Sequence, residues 1–272
     1  MKGAVTPLSL VRPRTLDEAL RYLRDEQLRP IAGTTDVYVE LNFGTLTSQR
    51  FLDLQPLEVL RGIAEHDDLL VIGALTSYTA IMQSPIVQQR LPMLAQAASQ
   101  IGGVQVQNRG TLGGNVANGS PAGDSLPVLA ASDAIVVMRS ADAERRIPFT
   151  SFYTGYRTSV LRPDELIVAI EIPRVDGTQW FRKVGTRAAQ AISKLVIAAV
   201  RSPTPRIAIG SVAPTTIRLS RTEHALASGA GIDEAVNVLE AEIAPIDDIR
   251  STADDRRRVA ANLLRRFWSD TA

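Results

Sequence analysis

Residues 108–124 read NRGTLGGNVANGSPAGD, and the reading of this stretch decides the rest of the chain. It is rich in glycine and asparagine, carries the hydroxyls of Thr111 and Ser120, and has a basic residue, Arg109, at its head. Gly113 and Gly114 are adjacent, so one of them is expected to take a positive φ at no steric cost. Successive amides in such a turn converge into a small anion-binding nest. Thr111 and Asn115 flank the pair and offer side-chain hydrogen bonds to the same ligand. The competing reading is a tight glycine-rich connection between two strands.

Working outward, a second loop of the same kind lies upstream in PIAGTTD, residues 30–36. Here Ala32, Gly33, Thr34 and Thr35 lead toward Asp36 and the apolar run 37–41, closed by Gly44. The pattern predicts a glycine turn feeding a short helix, whose orphan amides and dipole favour an anion. Asp36 alternatively caps that helix. Neither loop has the G-x-x-x-x-G-K-[ST] or G-x-G-x-x-G spacing, so a P-loop or Rossmann site is unsupported. Two non-Rossmann glycine loops suggest a pyrophosphate held between two lobes.

The composition fits that picture. The 272 residues, 45% hydrophobic and 22% charged, suffice for a large core and two or three compact units. A net charge of +1 gives no nucleic-acid footprint. No apolar run reaches bilayer length, and the first thirteen residues, MKGAVTPLSLVRP, lack the apolar centre of a signal peptide. A cytoplasmic, non-membrane protein is the expectation. The absence of cysteine rules out disulfides and any cysteine-held Fe–S or zinc site on this chain.

Along the chain, Thr15 and Glu18 open a helix over 15–26, followed by strands at 30–32 and 51–54. Strands are expected at 58–63 and 69–72, a helix capped by Thr76, a helix over 92–99, a helix over 126–131, and strands at 134–138 and 166–172. Three strands at 180–184, 194–200 and 206–212, then three helices at 221–228, 233–243 and 253–268, make up the tail. Strands followed by helices argue an α+β class. The expected division is 1–175, with lobes at about 1–56 and 57–175, and 176–272.

AGTTD followed by NRGTLGGN and SPAGD resembles the FAD-binding, medium-sized subunit of molybdenum hydroxylases, the group of bacterial xanthine dehydrogenases and carbon monoxide dehydrogenase. The resemblance covers almost the whole chain. It implies a two-lobed, non-Rossmann FAD-binding domain followed by a C-terminal three-stranded antiparallel sheet with helices. It implies FAD on Ala32, Gly33, Thr34, Thr35 and Asp36 and on Thr111, Gly113, Gly114 and Asn115, with main-chain contacts from Ile101 and Gly102. Asp124 would meet a ribityl or ribose hydroxyl, Ile167 the isoalloxazine, and Lys183 would place a cation near the ring. Asp124 as a helix cap, Ile167 as core and Lys183 as a surface lysine are the alternatives.

Two departures stand out. Thr34 replaces the family's second glycine, and the stretch 188–192, AAQAI, lacks the acidic residue that many members carry. His66 and His224 lie outside both loops, so a non-covalent FAD is expected. The resemblance further implies a 2Fe–2S small subunit and a molybdenum-cofactor large subunit as partners, with NAD or another acceptor receiving the electrons. A self-contained flavin oxidoreductase and a nucleotide-binding scaffold without redox chemistry are the other readings.

Overall fold

The computed structural model describes residues 8–272. The first lobe is a parallel three-stranded sheet in the order Ser9–Val11, Arg50–Asp53, Arg29–Ile31. Helix Leu16–Asp25 crosses over between the outer strands, its N-terminus capped by the Thr15 hydroxyl, which accepts the Glu18 amide at 3.1 Å. Its buried stripe of Ala19, Leu20 and Leu23 closes a core with Leu52 and Leu54. Leu60, Leu75 and Leu166 join that core from the second lobe, so the two lobes share apolar contacts.

The second lobe is an antiparallel five-stranded sheet, ordered Ile63–His66, Leu69–Gly73, Leu166–Ile172, Ile135–Arg139, Glu144–Pro148. Glu58–Leu60, expected as strand, is a 3-10 turn, and the strand begins at Ile63. The helix after it, Tyr78–Gln83, is capped by Ser77 and not by Thr76, whose hydroxyl is turned inward to donate to the Gly62 carbonyl at 3.0 Å. Helices Pro85–Arg90 and Val104–Arg109 and the hairpin Tyr153–Gly155/Thr158–Ser159 were not foreseen.

The C-terminal sheet is antiparallel and has four strands where three were expected: Thr178–Val184, Leu195–Arg201, Arg206–Gly210 and the two-residue Ile217–Arg218. Successive residues of a strand face opposite sides. Val196, Ala198 and Val200 accordingly enter the second lobe's core under helix Leu126–Ala131, while helix Pro92–Ser99 packs on the neighbouring strand Thr178–Val184. Leu195, Ile197 and Ala199 pack against helices Ser220–Ala227, Ile232–Glu242 and Ala253–Asp270. Residues 173–177 link the last strand of the second lobe to this sheet, and the apolar core runs across that link. Among the described residues no helix is long and apolar enough to cross a membrane.

Candidate cofactor site

The first loop leaves strand Arg29–Ile31 and enters helix Thr35–Phe43 through Thr34, which sits at φ +62°. That left-handed conformation costs an ordinary L-residue on the order of 1–2 kcal/mol, and it is free for glycine. The departure from Gly to Thr therefore falls on the position of the turn whose backbone conformation favours glycine. The Thr34 hydroxyl donates to the Gly33 carbonyl at 2.7 Å, and Gln55 Nε2 holds the Ala32 carbonyl at 2.7 Å. No hydrogen bond among the described residues uses the amides of Thr34, Thr35, Asp36 or Val37. Four donors thus point out of a helix N-terminus, where the dipole favours an anion.

The second loop is built differently from the expectation. Gly113 and Gly114 do not take positive φ; they lie inside helix Leu112–Asn118, which is pinned by the fully buried Leu112 and Val116. Its first-turn amides are already used. Leu112 donates to the Thr76 carbonyl (3.1 Å), Gly113 to Ala74 (2.9 Å), Gly114 to the Thr111 hydroxyl (3.1 Å) and Asn115 to the Thr111 carbonyl (3.0 Å). The backbone nest read from the sequence is therefore absent here. Gly113 is required for contact instead, since a Cβ there would lie 2.6 Å from that of Ala74. What this loop offers outward is side chains. The Thr111 hydroxyl keeps its proton for an external acceptor. Asn115 Oδ1 accepts from the Ser125 hydroxyl at 2.8 Å, which leaves the amide nitrogen as an unspent donor.

The two loops meet. A Cβ on Gly33 would stand 1.8 Å from the carbonyl oxygen of Arg109, the residue that heads the second motif. Asn118 Nδ2 donates to Asp36 Oδ1 at 3.2 Å, and Arg157 Nη1 donates to Asn118 Oδ1 at 3.0 Å. Neither Asn118 nor Arg157 was singled out from the sequence. The only signal was the place of Asn118 one helical turn beyond Asn115.

Lys183 and Asp124 form a buried pair, Nζ to Oδ2 2.6 Å, with side chains 6% and 9% exposed. Neither the surface-lysine nor the helix-cap reading holds. The ammonium also donates to the Gln100 carbonyl at 2.8 Å, which leaves one of its three protons unspent. Asp124 takes a further hydrogen bond from the buried Ser193 hydroxyl. Burial pushes the Asp124 carboxyl above the usual carboxylate range, with Lys183 and Ser193 pulling it back. Lys183 lines a small polar pocket with Gln100, Gly185, Arg187 and the acid-free stretch 188–191. Ile101 and Gly102, the latter at φ +53°, form the turn after helix Pro92–Ser99, directly beyond Gln100. Ile167 is buried in the core beside a bulge of strand Leu166–Ile172, and that strand packs against helix Leu112–Asn118. Beneath the second loop the Tyr78 hydroxyl is buried without a hydrogen-bond partner, and burial pushes its phenol strongly upward, so it stays a neutral donor.

Four free amides, a glycine-only contact between lobes, an unspent lysine proton and an outward asparagine amide fit a nucleotide with an anionic diphosphate and a polar ring system. Among the described residues no cluster of three or more metal-ligating side chains occurs.

Comparison with known proteins agrees. Residues 6–175 match the family described as FAD binding domain in molybdopterin dehydrogenase, and residues 180–271 match the CO dehydrogenase flavoprotein C-terminal domain. The medium chain of carbon monoxide dehydrogenase from Hydrogenophaga pseudoflava is 32% identical over 267 residues, covering 93% of each chain. The xanthine dehydrogenase FAD-binding subunit of Escherichia coli O157:H7 is 32% identical over 277 residues, with 95% of this chain and 94% of that one covered. The solved carbon monoxide dehydrogenase of H. pseudoflava lacking the Mo-pyranopterin moiety superposes with a TM-score of 0.91 at 29% identity, over 98% of this chain and 99% of that one. The chain belongs to the FAD-binding medium-subunit family of molybdenum hydroxylases, the carbon monoxide dehydrogenase and xanthine dehydrogenase group of oxidoreductases.

Proposed function

We propose that this chain is the electron-transfer subunit of a molybdenum hydroxylase complex, carrying FAD non-covalently between its lobes. The observation that carries the proposal is the set of unspent amides at Thr34, Thr35, Asp36 and Val37, facing a second loop whose own amides are spent. The amides receive the diphosphate, with Ala32 and Gly33 shaping the turn behind them. Thr111 and Asn115 add side-chain donors, and Gly113 and Gly114 let the second loop close. Charge-assisted hydrogen bonds of this kind contribute about 1.5–3 kcal/mol each. Lys183 would offer its remaining proton to the flavin ring, with Asp124 holding the ammonium in place and limiting its net charge. Ile101, Gly102 and Ile167 would contribute apolar and main-chain contacts to the bound flavin. Bound FAD supplies the redox chemistry, taking electrons from 2Fe–2S clusters and giving them to NAD or another acceptor.

The Fe–S relay and the molybdenum centre belong to partner chains, a 2Fe–2S small subunit and a molybdenum-cofactor large subunit. Support comes from the absence of cysteine here and from relatives named as medium chains. The purified full chain should bind FAD and be bleached by dithionite, yet hydroxylate nothing until the two partner subunits are added. Turnover of an organic substrate by the chain alone would replace this reading with that of a self-contained flavin oxidoreductase.

A further inference from the structure

Arg157 occupies the tip of the hairpin Tyr153–Gly155/Thr158–Ser159 at φ +51°. Glycine takes this conformation freely and asparagine tolerates it; arginine has no local hydrogen bond to compensate for it. The hairpin is anchored below the second loop, where the Tyr153 hydroxyl donates to the Val116 carbonyl at 2.8 Å. From that strained position Arg157 donates to Asn118 at 3.0 Å, and Asn118 donates to Asp36 at 3.2 Å. Asp36 stands in the first turn of helix Thr35–Phe43, among the unspent amides. A carboxylate there repels the anion those amides attract.

The charged groups around it are Glu40 on the same helix, Arg29 on the adjoining strand, and Arg157. Arg29 is engaged as a fork with both Glu40 oxygens. Among the described residues, Arg157 is the cation left facing Asp36. Although Asp36 keeps contact with solvent, the surrounding protein pushes its carboxyl upward and Arg157 pulls it back.

We propose that Arg157 is a positioning residue of the diphosphate site, acting through Asn118 to hold Asp36 and offset its charge, so that an anion reaches the amides of Thr34 to Val37 without meeting an uncompensated carboxylate. This rests on the FAD reading given above. Residual strain at functional positions persists where the side chain is needed, which accounts for an arginine where glycine would fold more easily.

The test is a cycle of four full-length proteins: wild type, Arg157→Gly, Asp36→Asn and the double variant, each titrated with FAD by flavin fluorescence. Arg157→Gly should weaken binding roughly two- to fivefold at low salt, the scale of an exposed charge interaction. The deficit should shrink above about 0.5 M KCl, where exposed charges are screened. The melting temperature without FAD should hold or rise, because glycine relieves the strained turn. In the Asp36→Asn background the same change should have no further effect, which a purely structural role for Arg157 would not produce. Arg157→Lys should stay near wild type at low salt, and Arg157→Asn, which tolerates the turn, repeats the test should the glycine variant misfold. Wild-type affinity in Arg157→Gly, or an equal loss in both backgrounds, overturns the inference while leaving the FAD reading intact. Failure of the wild type itself to bind FAD overturns both.

Discussion

Gly33→Ala is the smallest change that challenges the joint between the two loops. The added Cβ would lie 1.8 Å from the Arg109 carbonyl oxygen, 2.5 Å from its carbon and 3.0 Å from the Gly110 nitrogen, all of them backbone atoms. Backbone cannot swing aside as the end of a flexible side chain does. The first loop must therefore retreat from the end of helix Val104–Arg109 by roughly an ångström or more in a close-packed interior. Forcing a methyl into such a site costs about 1–3 kcal/mol of stability. The same retreat shifts the free amides of Thr34 to Val37 relative to the second loop. Loss of one or two charge-assisted contacts at about 1.5–3 kcal/mol each corresponds to a fall in FAD affinity of at least tenfold. The assay is fluorescence titration with FAD alongside thermal melting without it. A variant with wild-type melting temperature and wild-type affinity would show that the two loops do not meet as described.

Lys183→Met should cost about 3–5 kcal/mol, because Asp124 is left buried with Ser193 as its remaining partner. Adding Asp124→Asn should recover part of it, and dye-referenced titration of the FAD-loaded Lys183→Met protein should give a more negative reduction potential; an unchanged potential would remove Lys183 from the ring's surroundings. Among the carboxylates that favour the folded state above acid pH is Glu165, whose side chain is 2% exposed. Burial pushes it upward, but the Arg145 fork (2.7 and 2.8 Å) and the Arg162 amide (2.9 Å) outweigh burial and hold it below the usual glutamate range. Its contribution to stability is therefore complete above the unfolded glutamate value, near about 4.3, and is lost as pH falls through the lower folded value. Glu165→Gln should flatten the acid limb of urea midpoint against pH, and an unchanged slope would refute the assignment.

The legible parts of the fold are those whose signals are local. The Thr15 cap, the glycine turn before helix Thr35–Phe43, the apolar strand Leu166–Ile172 and the last helix, Ala253–Asp270, lie where their residues predict. The strand Leu195–Arg201 was legible as an apolar run because it is buried on both faces. The misread parts depend on distant partners. Two adjacent glycines oppose a helix by roughly 1 kcal/mol each, and only the burial of Leu112 and Val116 against the second lobe makes 112–118 helical. The carbonyls that use up its amides come from Ala74 and Thr76, far upstream. The strand Glu144–Pro148 carries almost no apolar pattern. It is held by its ladder to Ile135–Arg139 and by the pairing of Arg145 and Arg146 with Glu165 and Glu171. The motifs pointed to residues that the fold gathers in two adjoining loops, while the division of hydrogen bonds between those loops became visible only in the structure.

The most direct measurement is a titration of the full-length chain with FAD, FMN and riboflavin, followed by acid precipitation of the FAD-loaded protein. A diphosphate seated on the amides of Thr34 to Val37 predicts one saturable FAD site, with FMN and riboflavin far weaker because they lack the diphosphate bridge. All of the flavin should be recovered intact in the supernatant, as non-covalent binding requires. Equal affinity for FAD and riboflavin, no saturable binding, or flavin retained in the protein pellet would contradict the account.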